Sequence, residues 1–526
     1  MVCSSHYLAS AAGLRLLHAG GNAVDAAIGT AAVLGLVEPH MSGPGGDGFL
    51  MLHLGETGQI RCVNGTGPAP SRATRELFAE RGIPTKGIRS VSVPGIVGAW
   101  LLAHAEHGSL PLETVFAPAC EIAELGFPLS PKVAASLAVE AAAGSPICTH
   151  PASAAVYAPD GTPLQAGQIC RNPDYARTLV RLTREGVDAM YRGPIGAALL
   201  ELSREHDGLF EERDLHDFAA FWQEPISTTY RGHEVFEYPP SSSGHVLLQE
   251  LNLIEHFPIS SYGLLTPESI HVMVEAKKLA FADRERYLGD PDWVRIPLAG
   301  LLSKAYSAER VRLIREDRAA TGIAAGRPDG AEETTCFCVA DRFGNAVCQL
   351  QSIQTAWGSG TIVEGTGVLL NNRMTYWHLD PGHPDELRPG KRVRHTMNPY
   401  MVKKEGELVL VGGTPGADTQ VQTNMQVISH VLDFGLNVQE AVEAPRWRHT
   451  QNGTESDYPH TCADELLLED RFAAAVREGL AQRGHVIRRL GDWAATGSEQ
   501  MIQRDPATGV LAGGSDPRRD SQALAW

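Results

Sequence analysis

The sequence predicts a mixed α/β (α+β) protein built from helices and short, turn-linked strands. Apolar residues recur at helical spacing through 4–20 and then through 22–36, where Asn22 is a suitable N-cap. Residues 49–63 alternate apolar and polar side chains around a Gly-Glu-Thr-Gly turn, which is typical of a β-hairpin. Residues 332–352 predict a second hairpin, with β-branched and sulfur-containing side chains on both sides of a Gly-Asn turn.

A third β pattern, at residues 408–416, predicts a buried strand that ends in a Gly-rich turn. A predicted helix over 419–432 follows directly, so the turn lies at a helix N-terminus and presents free backbone amides. Such amides are what an oxyanion requires. Between residues 74 and 225 the patterns are mainly helical. Residues 319–330 have the small, flexible composition of an exposed, cleavable linker.

Length, charge and cysteine content restrict the class of protein. The 526 residues fit roughly three domains, or one large α/β unit with peripheral helices. A formal net charge of -17 argues against a nucleic-acid surface, because little positive charge would offset phosphate repulsion. Small molecules are therefore the expected partners. Nine cysteines, an odd number, favour a reducing compartment over a disulfide framework.

Targeting segments are not recognisable in the sequence. The N-terminal stretch lacks a basic segment followed by a long apolar one. No run approaches the ~18 apolar residues of a membrane span. We therefore expect a cytoplasmic protein without a membrane partner.

Three cysteines near the second hairpin allow a metal interpretation as well as a structural one. Cys336, Cys338 and Cys348 could be imagined as metal ligands. However, a C-x-C pair on a strand places both sulfurs on the same face, where they act as packing groups. We therefore expect no metal.

Two further patterns have alternative interpretations. The Gly-rich loop 41–48 could cradle phosphates, but it matches neither nucleotide-binding spacing, which favours a tight loop that lines a cleft. His271 and Glu275 lie one turn apart on a predicted amphipathic helix over 266–288 and could act as an acid/base pair. A solvated helix face is the commoner explanation for such a pair.

Nine motifs, in order from residue 4 to the C-terminus, resemble landmarks of the γ-glutamyltranspeptidase family. They are SSHYLAS, HAGGNAVDAA, SGPGGDGF, YRGHEVFEYPPSSSGHVLLQ, KLAFADRERYLGDPD, TTCFCVADRFGNAV, GVLLNNRM, GGTPGADT and DFGLNVQEAVEAPRW. The resemblance implies an N-terminal-nucleophile hydrolase with a four-layer αββα sandwich and no cofactor.

The resemblance also implies a precursor that cuts itself between Glu333 and Thr334. The products would be a large segment, 1–333, and a small segment, 334–526, that stay interlocked in one αββα unit. Such a heterodimer could pair further into a dimer of heterodimers.

Thr334 would then carry both the nucleophile and its base. A Thr hydroxyl is a weak nucleophile at neutral pH, but a free α-amine on the same residue can accept its proton directly or through water. The ordinary pKa of an α-amine, about 7.7–8.0, leaves a substantial neutral fraction at working pH. Taken alone, the segment would equally suit an ordinary Thr at the start of a strand.

The supporting catalytic positions of the family are occupied by compatible residues. Ser352 stands where the family has a second hydroxyl that tunes the nucleophile. Gly416 and Ala417 match the tandem glycine of the oxyanion turn, and Ala is tolerable there because backbone amides are the donors. The resemblance therefore implies intact machinery for acyl transfer.

The positions that bind the amino-acid end of the substrate differ from the family pattern. The family has an Arg, an Asp, an Asn, a Gln and paired Ser residues at positions that correspond here to Thr66, Tyr376, Gln354, Arg373, His395 and Thr396. Since the groups that bind the α-carboxylate and the α-ammonium are both replaced, γ-glutamyl substrates should bind poorly.

A pocket that gains Arg373 and loses an acidic group suits an anion without an amine. His395 would add a positive or hydrogen-bonding contact, and Tyr376 and Trp377 would narrow the pocket. A structural ion pair is the other explanation for Arg373.

These substitutions predict a small anionic amide as substrate, and the nearest resemblance is to an oxamate-hydrolysing branch in purine and allantoin degradation. The reaction would convert oxamate to oxalate and ammonia through an acyl-Thr334 ester. Alternatives with the same fold are a cephalosporin or glutaryl acylase and a γ-glutamyl hydrolase or transpeptidase. An uncleaved, inactive binding protein and a nucleotide-binding protein are the non-hydrolase alternatives.

Overall fold

The computed structural model describes residues 1–328 and 338–526. Its strands are β1 (Val2–Ser4), β2 (Asp47–His53), β3 (Ile60–Gly65), β4 (Phe127–Pro128), β5 (Ile169–Cys170), β6 (Phe221–Gln223), β7 (Ile226–Tyr230), β8 (His233–Glu237), β9 (Cys338–Ala340), β10 (Ala346–Ser352), β11 (Ile362–Val363), β12 (Val368–Leu369), β13 (Tyr400–Lys404), β14 (Glu407–Gly413), β15 (Trp447–Thr450), β16 (Glu465–Leu468), β17 (Ile487–Arg489), β18 (Gln500–Arg504), β19 (Leu511–Ser515) and β20 (Gln522–Leu524).

The helices are α1 (Tyr7–His18), α2 (Ala23–Val37), α3 (Arg75–Phe78), α4 (Ile96–His107), α5 (Leu112–Leu125), α6 (Pro131–Ala142), α7 (Pro146–Thr149), α8 (Pro151–Tyr157), α9 (Pro173–Glu185), α10 (Asp188–Tyr191), α11 (Pro194–Glu205), α12 (Glu212–His216), α13 (Gly244–Ile254), α14 (Ile259–Tyr262), α15 (Pro267–Tyr287), α16 (Leu298–Leu301), α17 (Lys304–Arg310), α18 (Gln420–Leu432), α19 (Val438–Glu443) and α20 (Ala474–Gln482). Short 3-10 turns include Arg373–Tyr376 and Ala417–Thr419.

Two antiparallel sheets form the centre of the described chain. The first has the strand order β20-β1-β9-β10-β2-β3-β6, and the second has the order β19-β18-β14-β13-β8-β7. Both sheets combine strands from before residue 329 with strands from after residue 337. A backbone cut between those two regions would therefore leave their hydrogen-bonded ladders intact.

The alternation of side chains along the strands creates three apolar layers. On β2, Phe49 and Met51 enter the core between the two sheets, whereas Leu50 and Leu52 enter the core against helices such as α2 and α4. The second sheet uses its outer face in the same way, since Val402 of β13 packs in the core with α13, α15 and α18. The order helix, sheet, sheet, helix confirms the predicted αββα sandwich.

A row of sulfur side chains crosses the core between the sheets. On adjacent strands, Cys3 pairs with Cys338, Cys338 with Cys348, Cys348 with Met51, and Met51 with Cys62. All five are buried in this core, as the packing interpretation of Cys338 and Cys348 predicts. Cys336, the third candidate metal ligand, lies outside the described residues.

The main predicted elements are confirmed. The first two helices are α1 and α2, and the capping box of Asn22 and Asp25 begins the second. The first predicted hairpin is β2 and β3, and the predicted buried strand and following helix are β14 and α18. The described part of the second hairpin is β9 and β10, which pair across the Gly344-Asn345 turn. Residues 319–328, within the predicted linker, form neither helix nor strand.

The prediction of a helix over 266–288 is confirmed, but the prediction that one face of it is solvated is wrong. Helix α15 has the expected bounds, but it is buried on nearly all sides between the second sheet's other helices and the C-terminal segments. His271 and Glu275 are 0% and 1% exposed, so the solvated-face interpretation of this pair is wrong. Within the described ranges, no helix combines the length and the apolar character needed to cross a bilayer.

We expect Asn22→Ala to lower the free energy of unfolding by about 1–2 kcal/mol, because it removes a cap and a long-range contact. Asn22 Oδ1 accepts hydrogen bonds from the amides of Val24 (2.9 Å) and Asp25 (3.2 Å), and its Nδ2 donates to His107 O (2.6 Å). Urea denaturation followed by far-UV circular dichroism checks this value. The matched control is Asn437→Ala, which removes the same kind of capping box from the short α19, where Asn437 itself is exposed. An equal loss in both variants would contradict the role of the His107 contact.

Candidate active site

A cavity of about 370 Å³ opens where the two sheets meet at one end of their strands. Its wall includes the end of β1, the end of β10, the turn after β14, and the segment 455–457. Of the residues predicted from the sequence, the cavity is lined by Ser352, Gln354, Arg373, Tyr376, Thr396, Gly416 and Ala417. Met41 and Ser42 also line it, as expected of a Gly-rich loop beside a cleft.

Strand β9 enters the sheet beside this cavity. It lies between β1 and β10. Beyond their pairing with β9, both neighbours continue into the cavity wall, β1 at Ser4 and Ser5 and β10 at its last residue, Ser352. The described chain resumes at Cys338, which pairs with Cys348. Thr334 and Glu333, the predicted nucleophile and cleavage site, lie outside the described residues.

Ser352 has a defined orientation at the end of β10. Its hydroxyl oxygen accepts a hydrogen bond from the backbone N–H of Gln354 at 2.8 Å. Gln354 has φ +82°, a conformation that is strained for a residue with a side chain, and it turns the chain sharply away from the sheet. This turn exposes both side chains to the cavity.

The turn after β14 supplies the predicted amide donors. Gly416 and Ala417 both have positive φ, 132° and 50°, so the backbone folds back before the 3-10 turn that leads into α18. Among the described residues, neither of the two N–H groups donates a hydrogen bond to a protein acceptor. Free amides at a helix N-terminus beside a cavity are suited to an oxyanion.

A buried ion pair anchors this turn, and sequence reasoning missed it. Asp418 pairs with Arg284 of α15, and both side chains are almost fully buried. Asp418 also accepts hydrogen bonds from the backbone N–H and the hydroxyl of Ser456, both at 2.7 Å. Burial opposes ionisation of Asp418, but the Arg284 guanidinium outweighs it and holds the pKa of Asp418 below its usual range.

Arg373 is both part of the cavity wall and half of a structural ion pair. Its Nε and Nη2 donate to the two oxygens of Asp47 at 3.0 and 2.8 Å, and both side chains are buried. The bidentate geometry uses one edge of the guanidinium. Among the described residues, Arg373 therefore forms a structural ion pair, which was the alternative explanation for this residue.

Tyr376 and Thr396 form a second polar contact of the wall. The Tyr376 hydroxyl lies 3.1 Å from Thr396 Oγ1, and its ring lies 4.8 Å from the Arg373 guanidinium carbon. Burial raises the pKa of Tyr376 above its usual range, so the hydroxyl stays protonated. Tyr376 thus lines the cavity.

Three other predicted contacts are absent from the described wall of the cavity. Thr66 is buried beyond β3, where its hydroxyl donates to Asn64 Oδ1 at 2.7 Å. Trp377 is buried in a separate apolar cluster, so it does not narrow the cavity. His395 packs edge-on against Phe49. Its Nε2 lies 3.4 Å from Asp47 Oδ2. Burial and the nearby Arg373 lower the pKa of His395 well below its usual range, which favours the neutral ring and disfavours the predicted positive contact.

Three carboxylate residues in the cavity wall, Glu38, Glu455 and Asp457, were not predicted from the sequence. Glu455 and Asp457 stand in a polar stretch without a recognisable motif, and tertiary contacts such as those of Ser456 with Asp418 and of Asp457 with Gln354 bring them to the cavity. Burial and then the Asp418 charge raise the pKa of Asp457 to about 6 and that of Glu455 to about 7. The cavity therefore contains acidic groups, whereas the sequence predicts a pocket that loses the acidic group of the family.

Two clusters of His and Glu lie outside the cavity. In one, Glu275 accepts a hydrogen bond from Lys278 at 2.7 Å while His271 contacts His485. In the other, Glu285 lies beside His378 and His383 and accepts from Arg394 at 2.9 Å. In both clusters a cationic side chain already holds the carboxylate. Neither cluster borders the candidate active site.

Comparison with known proteins agrees with this geometry. The family model described as gamma-glutamyltranspeptidase matches residues 9–526. The chain belongs to the γ-glutamyltranspeptidase family. Acylase ACY 1 proenzyme of Pseudomonas sp. (strain SE83) is 36% identical over 100% of this chain and 93% of its own length. Glutathione hydrolase-like YwrD proenzyme of Bacillus subtilis (strain 168) is 34% identical over 100% and 98%.

Two solved structures of similar proteins share the fold. Cephalosporin acylase from Bacillus halodurans superposes with a TM-score of 0.92 at 36% identity, over 100% of this chain and 95% of that chain. Gamma-glutamyltranspeptidase of Helicobacter pylori has a TM-score of 0.58 at 29% identity, over 60% and 92%. The predictions of an N-terminal-nucleophile hydrolase fold and of an amidohydrolase are thereby confirmed. Oxamate as the substrate stays a prediction.

The raised pKa of Asp457 leads to a stability prediction. An unfolded Asp ionises near pH 4, so between about pH 4 and pH 6 the folded protein keeps a proton that the unfolded chain releases. This group therefore lowers the free energy of unfolding as the pH rises through that window. We expect Asp457→Asn to be more stable than the parent at pH 8, by on the order of 1–2 kcal/mol, with the difference shrinking toward pH 4.5.

Thermal midpoints measured at several pH values check this prediction. The matched control is Asp188→Asn, because the Asp188 side chain is 65% exposed and lies outside the cavity. A loss of stability in Asp457→Asn at pH 8 would contradict the destabilising role of the carboxylate.

Proposed function

We propose that the protein is a self-processing amidohydrolase that cuts itself between Glu333 and Thr334 and then uses Thr334 as an N-terminal nucleophile. The observation that carries this proposal is the position of β9. Its two neighbours in the sheet, β1 and β10, both end in the wall of the cavity that also contains the Gly416 and Ala417 amides.

The register between β9 and β10 supports this assignment. Cys338 pairs with Cys348, and Ser352 follows Cys348 by four residues. Thr334 precedes Cys338 by four residues, and the pairing is antiparallel. If the processed chain continued this register, Thr334 would come opposite Ser352, beside the cavity.

In the proposed reaction, the α-amine of Thr334 accepts the proton of its hydroxyl, and Oγ attacks the substrate carbonyl carbon. The Gly416 and Ala417 amides stabilise the oxyanion, and Ser352 positions the nucleophile through a hydrogen bond. The leaving amine departs with the proton, which creates an acyl ester of Thr334. Water activated by the same α-amine hydrolyses the ester and regenerates the hydroxyl.

Each of the two main sheets contains strands from both sides of the proposed cut. This arrangement supports two segments, 1–333 and 334–526, that stay interlocked after processing. The names of the relatives describe proenzymes, which agrees with such a precursor. We propose a heterodimer of these segments, which could assemble as a dimer of heterodimers.

The size of the cavity bears on the substrate. About 370 Å³ falls within the roughly 300–1,000 Å³ of pockets that enclose drug-sized ligands. Oxamate, which is among the smallest amides that carry a carboxylate, would leave most of this volume empty. We therefore propose a larger acyl amide as the main substrate, as the name cephalosporin acylase suggests for a structural relative. Oxamate remains the second candidate.

We expect Thr334→Ala to remain a single uncut chain and to lose amidase activity by at least about 10³-fold, because the nucleophile is removed. Intact-mass measurement and a chromogenic amide assay check both effects. The control is Thr321→Ala, which changes an exposed Thr upstream of the proposed cut and should still be processed. Cleavage and turnover in Thr334→Ala would overturn the assignment.

We also expect the processed enzyme to hydrolyse a glutaryl or γ-glutamyl anilide with a kcat/KM at least about tenfold above that for oxamate, because a longer acyl group fills more of the cavity. Aniline release and ammonia release measure the two classes. Faster turnover of oxamate would restore the small-substrate proposal.

A further inference from the structure

The segment 319–328 forms neither helix nor strand, yet its backbone is fastened to helix α15. The Gly326 N–H donates to Asp283 Oδ1 at 2.7 Å, and the Tyr287 hydroxyl donates to Gly326 O at 2.6 Å. Side chains from adjacent turns of α15 therefore hold both polar groups of this one backbone unit. Connecting segments usually run over the surface, where water satisfies such groups.

Further contacts follow the same segment upstream of Gly326. The Ala320 N–H donates to Glu275 Oε2 at 2.9 Å, and Lys278 Nζ donates to Ala320 O at 3.1 Å. A side chain of α17 donates to Ala324 O at 3.0 Å. The segment therefore runs along α15 in the direction of that helix. We call the side chains that make all these contacts the linker clamp: Glu275, Lys278, Asp283, Tyr287 and Arg310.

The clamp brings the linker backbone unusually close to a buried carboxylate. Asp283 is 1% exposed, and a buried carboxylate is stable only when cations and hydrogen-bond donors surround it. The Gly326 amide is one of these donors, and the Tyr306 hydroxyl is another, at 2.9 Å from Asp283 Oδ2. A Cβ atom on Gly326 would lie 2.0 Å from that hydroxyl oxygen. Glycine is therefore required for this approach.

The clamp ends beside the turn of α15 that reaches the candidate active site. Arg284, the residue after Asp283, pairs with Asp418 of the oxyanion turn. Glu333 follows Gly326 by seven positions, and an extended chain of that length spans up to about 25 Å. This reach exceeds the path from Gly326 to Asp418, which consists of two side chains on neighbouring residues of α15. The clamp thus releases the linker within reach of the cavity.

We propose that the linker clamp is a positioning device for self-cleavage, which holds the linker so that the bond between Glu333 and Thr334 is presented to the cavity. This inference rests on the proposed amidohydrolase function and assigns α15 a part in its maturation. Hydrolysis of that bond consumes one water and leaves the Glu333 carboxyl group and the Thr334 α-amine. The clamp acts through position alone, so it should govern processing and leave turnover by the processed enzyme unchanged.

The test measures processing and turnover separately in Gly326→Ala. The added Cβ would collide with the Tyr306 hydroxyl, so the linker must leave the clamp while every clamp side chain remains. Denaturing gels follow the uncut fraction of freshly translated chain over time. It should decay at least about tenfold more slowly than in the parent, because small misplacements of reacting groups cost large factors in rate. Once processed, the variant should hydrolyse the anilides with a kcat/KM within about twofold of the parent value.

Two further variants make the result specific to the clamp. Thr321→Ala is the matched control, because it changes an exposed residue of the same segment and should be processed at the parent rate. Tyr287→Phe tests the clamp from the helix side, since it removes only the hydroxyl that donates to Gly326 O. Its processing should slow by at least about threefold, as expected for the loss of one hydrogen bond. If Gly326→Ala yields no folded protein, Tyr287→Phe decides by the same criteria.

Different results separate this inference from the proposed function. Processing of Gly326→Ala at the parent rate would overturn the clamp and leave the hydrolase in place. A parallel fall in processing, turnover and thermal midpoint would show a purely structural role, which would also overturn it. A parent chain that never cuts itself would overturn the proposed function, and the clamp with it.

Discussion

The buried pair of Arg284 and Asp418 is the interaction on which the active-site geometry depends. Arg284 belongs to α15, before the proposed cleavage site, and Asp418 belongs to the turn after β14, beyond it. The same carboxylate holds the backbone and side chain of Ser456. One ion pair therefore fixes the oxyanion turn and the acidic segment 455–457 against a helix from the other half of the chain. Removing one partner would leave an uncompensated charge in the interior, at a cost of roughly 3–5 kcal/mol.

The position of that pair also explains the electrostatics of the cavity. Because Asp418 keeps its charge, it disfavours a second and third negative charge on Glu455 and Asp457, and the pKa values of both carboxyl groups rise. Arg373 cannot restore the balance alone, because its guanidinium already makes a bidentate ion pair with Asp47. The charge balance in this cavity is therefore set by a network of described residues rather than by one pair.

Sequence pattern predicts the helices and strands of the fold because capping, turn formation and apolar periodicity depend on neighbouring residues in the chain. The cap at Asn22, the turn at Gly344-Asn345 and the apolar run before Gly413 each leave a signal within a few neighbouring residues. The resemblance to the family then located Ser352, Gly416 and Ala417, and the structure brings all three to one cavity. The same resemblance also assigned Thr66 and His395 to the substrate pocket, but neither lines the described cavity. Whether a side chain faces a cavity depends on strand direction and packing, which single positions in a sequence do not report.

The sequence by itself determined the family, the layered architecture and the acyl-transfer class, since local patterning and ordered motifs encode them. Only the tertiary structure decided which charges meet. Helix α15 has the spacing of a surface helix, yet the packing of both halves of the chain buries it and makes Arg284 available to Asp418. Asp457 is more than a hundred residues from Gln354 in the chain and touches it in the fold. Electrostatic balance depends on distances in space, and sequence spacing does not report those distances.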